Sequence, residues 1–271
     1  MGELDRAALQ QALAEDPDDT LTLLVAMSTA TDEELRRQVR ALAPRLLLDR
    51  ARTGAVRRRG IGRPRAVPAH LGGELDLDAS MDAVAAAHAE QRPPGLDELV
   101  ARDWGRPELA VCLVIDRSGS MSGARLATAA VTAAACLVRA PGEHAVVAFA
   151  RRAVVIEPLR GSRDPSLVVG DVLALRGHGM TSVSSALAEA ASQLAVSRAA
   201  RRVTVLLSDC RSTDEVDAVP AARSLDELVI LAPRDDADEA RHLARESGAQ
   251  VGEVTGVDVV PALLEKMLST R

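Results

Sequence analysis

Residues 109–116, LAVCLVID, form a nearly unbroken apolar run that stops at a carboxylate. A strand without polar residues on either face needs cover on both sides, which is the situation inside a parallel sheet wrapped by helices. The chain has the material for such a sheet, since its 271 residues are 47% hydrophobic and 27% charged, enough for one large or two modest domains. No stretch reaches the roughly 18 uninterrupted apolar residues that a membrane span needs. The opening MGELDRAALQ lacks a basic segment followed by an apolar one, so the expectation is a soluble, cytoplasmic protein without membrane contact.

From residue 109 onward strands and helices alternate. ARLATAAVTAAACLVRA reads as a helix, and HAVVAFA and RAVVIEPL as two strands with a tight connection, which predicts an antiparallel edge pair. DPSLVVGDVLAL and SVSSALAEAASQLAVSR read as helices, RVTVLLS as a second buried strand, DEVDAVPAARS as a helix and LDELVILA as a strand. DADEARHLARES, AQVGEV and VDVVPALLEKMLS then give a helix, a strand and a closing helix. The pattern predicts an α/β fold, a doubly wound and mostly parallel sheet with one antiparallel edge strand, over residues 107–271.

Residues 1–106 read as a mainly helical region. Thr31 and Glu34 have the spacing of a capping box for DEELRRQVRALA, and Pro44 is expected to end or kink that helix. Residues 50–65, RARTGAVRRRGIGRPR, hold seven arginines with three glycines and a proline, either a solvated linker or a docking strip for an acidic partner surface. GGELDLDAS follows as a short extended piece, with Asp78 or Ser80 expected to cap the helix MDAVAAAHAE. QRPPGLDELV reads as a turn entering one more short helix. The pair Asp76 and Asp78 is explained by capping and solvation rather than by a metal.

Ligands in open α/β sheets bind beyond the carboxyl ends of the strands. Two buried strands end alike, CLVI at Asp116 and VTVLLS at Asp209, and between them a glycine-bearing loop delivers Thr181 just ahead of a helix. If those strands are neighbours, Asp116, Ser118, Ser120, Thr181 and Asp209 converge. All five are hard oxygen donors, which suit Mg²⁺, with Mn²⁺ as an alternative; Zn²⁺ would want imidazole or thiolate.

Competing chemistries are poorly supplied. Cys112, Cys136 and Cys210 are widely spaced and odd in number, giving neither a disulfide framework nor a zinc ribbon. A net charge of −6, with Trp104 and Phe149 the only aromatics, argues against nucleic acid as a partner. GSMSG at 119–123 comes within one residue of a nucleophile elbow, but Met121 stands where the serine must be, which leaves His144, His178 and His242 without a nucleophile to serve. Metal-assisted hydrolysis at Asp116 and Asp209 stays open as an alternative, although no phosphate-cradling G-x-x-x-x-G-K-[ST] loop is present.

The D-x-S-x-S of Asp116, Ser118 and Ser120, followed by Thr181 and Asp209 in matching strand and loop context, resembles the metal-ion-dependent adhesion site of von Willebrand factor A (VWA) domains. The resemblance implies that Ser118 and Ser120 ligate the metal through their hydroxyls, with Asp116 and Asp209 acting directly or through water. Thr181 would ligate directly or through water. Family members often have glycine before the threonine and after the second aspartate, where this chain has Met180 and Cys210. The upstream arginine-rich and helical segments resemble bacterial intracellular VWA proteins that work with MoxR-type AAA+ ATPases. That resemblance implies a non-catalytic, Mg²⁺-dependent adaptor that captures an acidic residue of a client or partner, in client remodelling or in metal or cofactor maturation.

Overall fold

The structure is a computed structural model, and it describes residues 6–27, 33–53, 64–69, 74–95, 98–104, 109–118, 123–177 and 179–269. Three helices come first: α1 (Arg6–Glu15), α2 (Pro17–Met27) and α3 (Glu33–Thr53). Strands β1 (Pro64–Pro68) and β2 (Glu74–Leu75), helix α4 (Leu77–Ala89) and strand β3 (Val100–Trp104) follow. The remainder alternates as β4 (Leu109–Asp116), α5 (Ala124–Arg139), β5 (His144–Phe149), β6 (Ala153–Glu157), α6 (Pro165–Leu173) and α7 (Val183–Ala195). It continues through β7 (Arg201–Leu207), α8 (Val219–Arg223), β8 (Glu227–Pro233), α9 (Asp238–Ser247) and β9 (Gln250–Val254) to α10 (Val260–Ser269).

The large sheet has the order β6-β5-β4-β7-β8-β9, with every pair parallel except β5 and β6. This is the mixed α/β sheet with one antiparallel edge that the sequence predicts. Alternation along β4 sends Val111, Leu113 and Ile115 into one core and Ala110, Cys112 and Val114 into the other. Because β5 lies on one side of β4 and β7 on the other, the chain reverses direction across the sheet at β4. The crevice at the carboxyl ends of β4 and β7 is therefore its topological switch point.

The compact units divide the chain elsewhere than at residues 106 and 107. One unit joins residues 1–56 to 109–271; the other is 57–108. Helix α5 explains the first grouping. Leu126, Ala127 and every residue from Ala129 to Leu137 are buried, so α5 has no polar face to give to water. Helices α2 and α3 pack on it from the side away from the sheet, and Leu21, Leu24, Val39, Ala43 and Leu47 join the same core. Its many alanines let neighbouring helices approach closely.

Pro44 neither ends α3 nor marks its boundary, since the helix runs on to Thr53. An interior proline costs about 3 kcal/mol of helix stability. The continuation is held by Leu47, Leu48 and Ala51, all buried in the core beyond it. The capping box proposed at Thr31 and Glu34 lies outside the described residues and side chains, as does most of the arginine-rich segment.

The unit 57–108 holds a three-stranded antiparallel sheet, β1-β3-β2, where the sequence suggested mainly helix. The described residues of QRPPGLDELV are turns, bends and coil that enter central β3 at Val100 in place of the expected short helix, and prolines at both ends of β1 sit on an edge strand, where a missing N–H is tolerated. The cap of α4 is Asp76, whose carboxylate accepts from Ala79 N at 3.2 Å, so the helix starts before Asp78. Ser80 lies inside the helix, fully buried, with its hydroxyl donating to Val100 O at 3.1 Å and accepting from Val100 N at 2.9 Å.

Candidate metal centre

Asp116 is the last residue of β4. The ladder continues one step past it, Arg117 N donating to Phe149 O at 2.8 Å, so the turn away from the sheet begins just after the aspartate. Its Oδ1 accepts from Ser118 N at 2.8 Å, an Asx turn that folds the serine back toward the carboxylate. Its Oδ2 accepts from the Ser208 hydroxyl at 2.6 Å. Ser120 lies outside the described residues, together with Gly119, Met121 and Ser122.

The register pairs Ile115 with Leu207, which places Ser208 beside Asp116 and carries Asp209 one residue past the edge of the sheet. Asp209 Oδ1 accepts from Arg211 N at 2.9 Å, a second Asx turn matching that of Asp116. Burial holds the Asp209 carboxyl above the usual carboxylate range, with the Asp116 and Asp236 charges adding to the effect and the Arg211 N–H and Arg125 opposing it. The two carboxyl groups thus share one half-buried corner.

Cys210, at one of the positions where glycine is common, has φ +63°, in the left-handed region that glycine enters at no cost. Its amide donates to Ser208 Oγ at 2.9 Å, so one hydroxyl serves both the Asp116 carboxylate and this turn. The thiol is buried and its pKa pushed up, chiefly by burial and then by Asp209, which leaves it a neutral packing group.

Thr181 lies in the loop before α7 and is 2% exposed. Its amide donates to Thr213 Oγ1 at 2.7 Å and its carbonyl accepts from Thr213 N at 2.9 Å, so the segment after Asp209 holds it by its backbone. Ser182, next in the chain, caps α7 through Ser185 N at 3.4 Å.

The structure therefore gathers Asp116, Ser118 and Asp209 at adjacent strand ends and ties Thr181 to the same loop cluster. Sequence reasoning missed Ser208 and Thr213. Ser208 had one available signal, its place as the strand residue beside Asp116 in the parallel register; Thr213 had none. His144 begins β5 opposite Val111, whereas Asp116 pairs with Phe149 at the other end, which takes this histidine out of the site. His178 lies outside the described residues.

The donor set suits a small hard cation: two carboxylates whose orientation is set by hydrogen bonds from the Ser118 amide, the Ser208 hydroxyl and the Arg211 amide. Among the described residues no group of three or more His, Cys, Asp or Glu that could hold a metal ion is gathered in one place. Nor is any described helix long and apolar enough to cross a membrane.

A family model described as "VWA domain containing CoxE-like protein" matches residues 35–260. Among solved structures, a von Willebrand factor type A protein from Catenulispora acidiphila is 22% identical, with 62% of this chain and 43% of that one covered and a TM-score of 0.48. An aerotolerance-related membrane protein from Bacteroides fragilis is 18% identical over 60% of this chain and 100% of its own, with a TM-score of 0.49. Manganese-loaded TRAP protein from Plasmodium vivax is 15% identical over 60% of this chain and 74% of its own, with a TM-score of 0.45. No curated protein matches.

Proposed function

We propose, for a chain that belongs to the CoxE-like family of VWA-domain proteins, that the carboxyl edge of β4 and β7 is a Mg²⁺ site for gripping a partner protein. The observation that carries this reading is the placing of Asp116 beside the Ser208–Asp209 corner, two carboxylates at the ends of neighbouring parallel strands oriented by the Ser118 amide, the Ser208 hydroxyl and the Arg211 amide. Asp116, Ser118, Thr181 and Asp209 would hold the ion, with Ser120 as a further ligand from the same loop. When bound, the ion supplies a positive charge with room in its shell for an oxygen from outside, which favours a partner's Asp or Glu.

The chain's own residues contribute placement. Ser208 fixes the rotamer of Asp116, and the Asx turns at Asp116 and Asp209 keep both carboxylates at the mouth of the crevice. Two carboxylates only just neutralise a divalent ion, and hydroxyls bind it weakly, so an incoming carboxylate gains electrostatic attraction. The role proposed is binding without turnover, as an adaptor for a MoxR-type AAA+ ATPase acting on a client. That partner follows from the resemblance of the upstream segments to such adaptors, and the ATPase would supply the work.

Titration calorimetry of the full chain with Mg²⁺ tests the site. Wild type should show saturable binding that Asp116→Ala reduces at least tenfold, and equal weak heats from both proteins would overturn the metal assignment. Copurification from the native host addresses the partner, where recovery of a AAA+ ATPase with wild type but not with Asp116→Ala is the expected result. Hydrolysis of phosphate or ester substrates by the isolated chain, abolished by Asp116→Ala, would replace the adaptor reading with an enzyme.

A further inference from the structure

We infer that Thr213 is a positioning residue that fastens the loop delivering Thr181 to the loop delivering Asp209, so that ligands from two separate segments enter the site as one unit. The inference rests on the metal-site reading above. Neither segment has regular structure to hold it: residues 174–177 and 179–182 ahead of α7, and 208–218 between β7 and α8, form neither helix nor strand. Left to themselves, two such loops would each be ordered separately at the moment an ion bound, and that ordering opposes affinity.

Hydrogen bonds supply the order in advance. Thr181 N donates to Thr213 Oγ1 at 2.7 Å, and Thr213 N donates to Thr181 O at 2.9 Å, a reciprocal pair of the kind found between strands but made here through a side chain. The Thr213 hydroxyl proton faces the same carbonyl at 3.3 Å. Ser212 sits beside this pair, its Oγ 2.6 Å from Asp214 Oδ1 and 3.2 Å from Thr181 O. One hydroxyl proton cannot serve both acceptors fully, and the shorter contact with the carboxylate takes it. The Ser212 oxygen also lies 3.5 Å from Val183 N, at the first turn of α7.

The far end of the clasp is equally tied down. Within five residues of Thr213 the same segment contains Ser208, bonded to Asp116, and Asp209, closed by its own turn onto Arg211. A continuous run of hydrogen bonds thus joins Asp116, the Asp209 segment, Thr213 and Thr181. The contacts that Thr213 makes are to backbone atoms of Thr181, so Thr213 acts by fixing where the Thr181 side chain starts rather than by touching the ion.

A double-mutant cycle separates this role from general support of the fold. Thr213→Val keeps the shape and removes the hydroxyl, and should weaken Mg²⁺ binding roughly tenfold by calorimetry, the scale of one or two lost hydrogen bonds. Thr213→Ser should bind within about twofold of wild type. In a Thr181→Ala background, Thr213→Val should cost nothing further, because the group it positions is already gone. Hydrogen exchange gives a readout independent of metal: the Thr181 amide should exchange faster in Thr213→Val and at the wild-type rate in Thr213→Ser. Wild-type affinity in Thr213→Val, or a full additional loss in the Thr181→Ala background, overturns the inference while leaving the metal site standing. Failure of wild type itself to bind Mg²⁺ overturns the metal site, and unchanged Thr181 exchange in Thr213→Val then removes the clasp as well.

Discussion

In the six-stranded sheet β4 buries every residue from Ala110 to Ile115, whereas in the three-stranded sheet β2 leaves both Glu74 and Leu75 exposed. The larger unit is held by apolar area, with helices on both faces of its sheet and, over α5, a second helical layer from α2 and α3. Among the described residues the smaller unit buries Leu99, Ala101 and Ala87, and polar ties add to them. Ser80 brackets the Val100 backbone, Arg102 pairs with Asp76 at 2.6 Å, and Arg92 grips Glu98 with two bonds of 2.7 Å. Hydrophobic burial is non-directional and grows with area, while each hydrogen bond nets only about 1 kcal/mol and depends on geometry. The larger unit should therefore tolerate the loss of any one polar contact, and the smaller one should register it.

The largest effect expected is from Leu24→Ala in α2. Leu24 is 1% exposed in the core shared with α5, and its truncation should cost about 3 kcal/mol in urea denaturation. Far-UV circular dichroism and a probe at the sheet should lose structure in one transition. Separate melting of the N-terminal helices, with the sheet intact, would break the description of residues 1–56 as part of the larger unit.

A smaller and more local effect should follow Ser80→Ala. Two bonds to Val100 disappear, the carbonyl keeping only the Asp76 amide at 2.9 Å, which should destabilise the smaller unit by about 1–2 kcal/mol. Hydrogen exchange at the Val100 amide should accelerate accordingly, and unchanged protection would show that the apolar residues alone hold the strand. The smallest effect concerns acid. Arg92, first, and the Gly95 N–H, second, hold the Glu98 carboxyl down at about 2. A lowered carboxyl pKa contributes stability above its unfolded value of about 4.5 and loses it as pH falls through about 2. NMR titration of the Glu98 side chain should show it still ionised at pH 3, and a midpoint near 4.5 would remove this tie from the comparison.

The same contrast governs what could be read in advance. The strands LAVCLVID and RVTVLL announce themselves because burial on both faces leaves only apolar residues. By contrast PRAVP and VARDW carry prolines and charges, and pair because they meet each other rather than because either is written as a strand. Alanine abundance in α5 signalled a helix but not the layer above it; the missing polar face was the clue. At the site, Asp116 and Asp209 were legible as carboxylates at the ends of apolar strands, and Thr181 through its place before a helix. Ser208 became legible only once the register set it beside Asp116, and Thr213 not at all, because a hydroxyl that bonds a neighbouring loop's backbone leaves no periodic trace in the sequence.

Helix α2 finds its packing partner in α5, about a hundred residues later, with residues 57–108 made in between. On a ribosome adding about 5–20 residues per second, the apolar face of Leu21, Leu24 and Val25 waits on the order of 5–20 s before α5 exists to receive it. The nascent chain is thus exposed to chaperones and to self-association for a defined interval, set by the length of the intervening unit. Shortening that unit would shorten the wait, a kinetic consequence of placing the first helices and their receptor on opposite sides of a second fold.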